Sequence, residues 1–90
     1  MNKSELIATV SENTDIPKTT VSKAVDAMMD AIKDALSDGD TVTLIGFGTF
    51  SVRDRAARVG RNPRTGERLD IKATKVPVFK PGKSMKDAVN

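Results

Sequence analysis

Residues 53–75, RDRAARVGRNPRTGERLDIKATK, decide how the chain is read. They hold eight basic residues, Arg53, Arg55, Arg58, Arg61, Arg64, Arg68, Lys72 and Lys75, against three acids, and almost nothing that could form a core. A turn signal, Asn62-Pro63-Arg64-Thr65-Gly66, interrupts the run, so the stretch reads as a long hairpin with a charged skin. The first two arginines are spaced by two, as a strand requires. The next three steps are of three, which a flat strand cannot keep on one face. Gly60, Pro63 and Gly66 would break a helix. The expectation is a twisted or bulged ribbon whose arginines project on more than one side.

The charge outside this stretch sharpens the reading. Residues 1–52 carry four lysines and eight acids, giving −4, while residues 53–90 carry eleven basic residues and four acids, giving +7; together they make the formal +3. Such polarity points to a polyanionic partner met by one side of the molecule, and nucleic acid is the commonest. Ninety residues suit a single domain with a modest core, and Phe47, Phe50 and Phe79 are its only aromatics. A chain this small that also projects a polar hairpin is expected to dimerise. Without cysteine there is neither a disulfide framework nor a thiolate metal site. No apolar run reaches membrane-spanning length and residues 1–5 lack an apolar leader, so a soluble, cytoplasmic protein is expected.

Reading from the amino terminus, Asn2 with Glu5 forms a capping box for a first helix that presents Leu6, Ile7 and Val10 and stops near Asn13-Thr14. Asp15-Ile16-Pro17 starts a second, because proline is tolerated in a first turn. There Val21, Ala24, Val25, Met28, Met29, Ile32, Ala35 and Leu36 keep helical spacing, and Gly39 marks the end. Strand-forming residues follow from Thr41 to Ile45, then a Gly46-Phe47-Gly48 turn, then a strand from Thr49 that runs straight into the basic stretch. On the return leg Leu69, Ile71 and Ala73 alternate on one face, Val76 and Val78 fall on the other, and Phe79 restores the first phase. Either a bulge lies near Thr74 or both faces are covered there. Pro77 marks an edge or an interruption. A short last helix after Pro81-Gly82 has Met85, Ala88 and Val89 as its apolar contacts. The fold class is α+β: two N-terminal helices, a three-stranded antiparallel sheet with a long protruding β-hairpin arm, and a short C-terminal helix.

Enzyme chemistry has little to work with. Gly46-Phe47-Gly48 starts like a dinucleotide fingerprint, but Ser51 stands at the third glycine position and a strand follows. Gly82-Lys83-Ser84 resembles the end of a phosphate-binding loop, but Pro77 stands where its first glycine should be. There is no His or Cys, and no acid pair sits in apolar surroundings, so neither a nucleophilic triad nor a cofactor site is expected. Asp26, Asp30 and Asp34 share a helix face; a solvated face that repels DNA explains them better than a metal site, which no His, Cys or Glu completes. The arginines exceed what solubility needs, and their planar forks suit phosphate and groove contacts. Asn62-Pro63 reads first as the start of a tight turn. The sharper reading is an apolar wedge pushed between base pairs.

Gly46-Phe47-Gly48-Thr49-Phe50, Arg55, Arg58, Gly60-Arg61-Asn62-Pro63 and Thr65-Gly66 resemble the signature of the HU/IHF family of bacterial histone-like DNA-binding proteins, itself a standing example of minor-groove binding with an inserted wedge. The likeness spans the chain, including its close from Gly82 to Asn90. It implies an intertwined dimer with residues 1–52 and 76–90 as body and 53–75 as DNA-binding arm, the whole forming one domain. It further implies that Pro63 inserts between base steps and that Phe47, Phe50 and Phe79 pack across the dimer interface. Arg53, Arg55, Arg58, Arg61, Asn62, Arg64, Lys72 and Lys75 would hold DNA along the arm, and Lys3, Lys80, Lys83 and Lys86 would hold flanking phosphates. The resemblance favours an HU-like homodimer on double-stranded DNA, associated with the nucleoid and showing little sequence preference. A heterodimer with a related chain, a site-specific bending factor and an arm that embraces a protein partner are the competing expectations. Pro17-Lys18-Thr19-Thr20 and Asp70 depart from the family pattern, and the acid at Asp70 is expected to weaken arm binding slightly.

Overall fold

Asn2 opens the first helix by accepting the Glu5 amide on its side-chain oxygen at 2.9 Å, which satisfies one of the free N–H groups at the helix start. The computed structural model describes every residue from Met1 to Asn90 and divides into two compact units, 1–34 and 35–90. In the first, α1 (Lys3–Thr14) ends where Asp15 adopts a left-handed conformation with φ of 58°. Helix α2 (Lys18–Ser37) begins just after Pro17, whose carbonyl accepts the Val21 amide at 3.0 Å. Proline therefore stands at the cap, one residue before the first turn expected to contain it. Ile7 and Val21 are the buried hydrophobic side chains; the rest of the apolar stripe is half-buried or exposed, with Met28 52% exposed. Leu6, Val10, Ile16, Val21, Val25 and Met28 line an apolar groove of about 360 Å³.

The second unit holds β1 (Val42–Leu44), β2 (Gly48–Arg55), β3 (Arg58–Arg61), β4 (Arg68–Ile71), β5 (Thr74–Pro81) and α3 (Lys83–Val89). Strands β1, β2 and β5 form the three-stranded antiparallel sheet, in that order. Phe50 and Phe79 face each other across β2 and β5 with ring centroids 4.8 Å apart, and Phe47 reaches Phe79 at 5.7 Å. This cluster explains Gly48, because a Cβ there would stand 2.5 Å from the Phe79 ring and 2.8 Å from the Lys80 carbonyl oxygen. The start of α3 is tied to the preceding turn by the Gly82 amide on the Phe47 carbonyl, 2.9 Å, and the Met85 amide on that of Gly46, 3.2 Å. Met85 is half-buried, while Ala88 and Val89, expected as apolar contacts of this helix, are exposed.

The ribbon beyond this sheet is broken but not bulged. Arg55 pairs with Thr74 at the last step of β2–β5, and Arg58 pairs with Ile71 at the first step of β3–β4. Two residues are passed over on each leg, Ala56-Ala57 and Lys72-Ala73, so neither strand carries an extra residue and the register is unchanged. The alternating phase on the return leg is thereby settled. No bulge lies at Thr74, and β5 carries apolar side chains on both faces, Phe79 on one and the half-buried Val76 and Val78 on the other.

Candidate nucleic-acid interface

The hairpin distributes its cations by strand parity and by the break. Arg53 and Arg55 share one face of β2, opposite Val76 and Thr74. The three-residue step to Arg58 straddles the break. The next, to Arg61, places the two side chains on opposite faces of β3. Arg64 lies in the loop, Lys72 in the break and Lys75 on β5, opposite Asp54. All eight basic side chains of the stretch are exposed. Within 53–75 only Gly60, Asn62 and Ile71 are half-buried and none is buried, so the arm owes its shape to backbone pairing and the turn rather than to a core.

The tip is stapled by four hydrogen bonds. The Asn62 amide donates to the Glu67 carbonyl at 2.8 Å and the Gly66 amide to the Asn62 carbonyl at 2.7 Å. The Asn62 side-chain oxygen accepts the Arg64 amide at 2.9 Å, and the Thr65 hydroxyl oxygen accepts that of Glu67 at 3.3 Å. Gly66 supplies the left-handed residue, φ 72°, that lets the chain turn back. Pro63, with no N–H to satisfy, occupies the exposed outer position. The tight-turn reading of Asn62-Pro63 therefore holds, and that turn displays the proline ring.

Arg68, counted among the bases but not singled out from the sequence, lies directly opposite Arg61. Facing like charges destabilise a ribbon, so the pair is an electrostatic strain that an anion would relieve. Part of it is relieved internally, because Asp70 approaches the Arg68 Nε at 3.4 Å. The signal that could have found Arg68 was symmetry about the Asn62–Glu67 closure, which carries one leg's arginine onto the other's. On the body, Lys80 lies on β5 opposite Thr49, and Lys83 and Lys86 are exposed on α3. In the other unit Lys3 forms an ion pair with Asp26, one member of the acidic α2 face. No three carboxylates converge in a way that could hold a metal ion.

Comparison with known proteins places this geometry. The model of a family described as bacterial DNA-binding protein matches residues 1–90. The DNA-binding protein HU of Geobacillus stearothermophilus is 61% identical over 89 residues, covering 99% of each chain. DNA-binding protein HU-beta of Pseudomonas aeruginosa is 54% identical over 90 residues, covering all of both. Among solved structures, an Anabaena HU–DNA cocrystal structure superposes with a TM-score of 0.88 at 45% identity, covering 99% of this chain and 97% of that one.

Proposed function

The chain belongs to the bacterial DNA-binding protein family, and from that membership we propose that it is an architectural protein of the HU kind, gripping duplex DNA through the minor groove with little sequence preference and holding it bent. The observation that carries this reading is the hairpin itself: an exposed basic ribbon closed by a tip whose polar groups bond to one another, leaving Pro63 as a rigid apolar edge. Arg53, Arg55, Arg58, Arg61, Arg64, Lys72 and Lys75, with Asn62 setting the turn, anchor the arm to phosphates and groove walls. Pro63 enters a base step, where unstacking is offset by the added contacts that bent DNA makes. Lys3, Lys80, Lys83 and Lys86 hold the flanking backbone. Binding and bending are the whole of its work; no catalytic step is part of it.

A homodimer completes the device. Two buried hydrophobic side chains, with Phe47 48% and Phe79 39% exposed, are too few for a stable single chain, so the apolar groove and the phenylalanine cluster are covered by a second copy. The two arms then approach one duplex from both sides, in the nucleoid. Gel shifts on linear, gapped and pre-bent duplexes test this. Affinity should fall on the order of 10³-fold between roughly 50 and 200 mM salt and be tightest on the bent and gapped forms. A salt-insensitive Kd would reject the proposal. A consensus recovered by selection from random DNA would replace it with site-specific bending.

A further inference from the structure

Helix α3 starts without a cap of its own. Gly82 stands at the N-cap in an extended conformation and has no side chain to accept an amide, and at seven residues the helix is too short to be stable by itself. The amides from Gly82 to Met85 have no acceptor within the helix. Two of them are taken up from far along the chain. The Phe47 carbonyl accepts that of Gly82 at 2.9 Å, and the Gly46 carbonyl accepts that of Met85 at 3.2 Å. The β1–β2 turn thus does what a capping side chain does elsewhere. The approach leaves no room for a side chain, because a Cβ on Gly82 would stand 3.0 Å from both the carbonyl carbon and the oxygen of Gly46, and 3.3 Å from the Phe47 carbonyl carbon. All three are backbone atoms, which cannot swing aside.

Resting on the DNA-binding reading above, we infer that Gly82 is a positioning residue for the body's phosphate contacts: it lets the Gly46-Phe47 turn cap α3 and so fixes where Lys83 and Lys86 stand. Little else holds these lysines. Both are exposed, neither forms an ion pair, and Met85 is the only half-buried residue of the helix. The turn that aims them is itself held by Phe47, whose ring lies 5.7 Å from that of Phe79 and is 48% exposed in the single chain. A second copy that covers this ring therefore also steadies the cap, so subunit contact and the grip on flanking phosphates share one turn.

Amide exchange and a salt series of duplex-DNA affinity test this. In the unaltered protein the Met85 amide should be protected at least about tenfold more than those of Lys83 and Ser84, which have no acceptor. Serine is as good an N-cap as glycine or better, so at a free helix start Gly82→Ser would be neutral or favourable. Here it should abolish that difference in protection while leaving exchange across β2 and β5 unchanged. Lys83→Ala with Lys86→Ala removes four contacts from a homodimer and should lower the slope of log K against log salt by roughly 3.6. Gly82→Ser removes no cation, yet it should reproduce at least about half of that drop, and added to the lysine pair it should lower the slope no further. Unchanged protection or an unchanged slope in Gly82→Ser, or full additivity with the lysine pair, would overturn the inference. Should the serine variant fail to fold, the unaltered protein still decides, since a Met85 amide no better protected than its two neighbours sinks the cap. If the lysine pair itself leaves the slope unchanged, the reading of those lysines as phosphate contacts fails and the inference falls with it; protection at Met85 tells that case from a missing cap.

Discussion

The proximal and distal halves of the hairpin share one register, yet side chains hold only the first together. In β2 and β5 the phenylalanine rings lie across Gly48, and α3 is bonded to the turn beside them. In β3 and β4 four residue pairs and a stapled tip keep the ribbon in shape, with exposed charge on every side. The same backbone geometry thus serves as a frame where rings pack on it and as a compliant probe where they do not. Low burial makes the distal half the part expected to open first.

The largest expected effect separates binding from frame. Changing Arg55, Arg58 and Arg61 together to alanine removes six contacts from the two arms of a homodimer and should lower the salt slope by roughly 5.4 and the affinity near 0.1 M salt by on the order of 10⁵-fold. The urea midpoint should stay where it is, because all three side chains are exposed. A shifted midpoint would mean that the arm supports the frame after all.

Next comes one substitution made in both halves. Gly48→Ala forces a methyl into the Phe79 ring and should cost about 3 kcal/mol in denaturant unfolding. Gly60→Ala meets only Ile71 at ordinary contact distance and should cost less than about 0.5 kcal/mol. Comparable costs would erase the distinction. At the tip, Asn62→Ala removes the acceptor of the Arg64 amide, worth about 1 kcal/mol locally. It should speed amide exchange at residues 64–67 and reduce the DNA bend measured by energy transfer while leaving the unfolding midpoint unchanged. The smallest effect is Asp70→Asn, which frees Arg68 from an exposed ion pair and should tighten DNA binding by no more than about twofold. A weaker complex would show that the carboxylate is needed on the arm.

What the sequence disclosed was local chemistry. The Asn2 cap, the period of α2, the turn at Asn62 to Gly66 and the basic legs each follow from neighbouring residues, and the structure has them. What it hid was set by distant contacts or by residues without a signature. Ala56, Ala57 and Ala73 announce nothing, so the residues left a bulge and a pairing covered on both faces as equal alternatives where the two-on-two break lies. The uneven arginine spacing needed no inserted residue; one step crosses the break and the next changes face. Gly48 read as a turn glycine, and only the ring of Phe79, far along the chain, shows that it is a clearance. The Arg68–Asp70 pair required knowing that both side chains leave the same side of β4.

The unbroken register makes the arm a ruler with coarse graduations. Losing one residue from a single leg would slide every pair beyond it and turn one strand's side chains over. Losing one from each leg would restore pairing but present the Arg61 face where the Arg58 face had been. Only two residues from each leg together preserve both, shortening the reach by about 7 Å. Natural or engineered arms of different span on this frame should therefore differ in length by multiples of four residues.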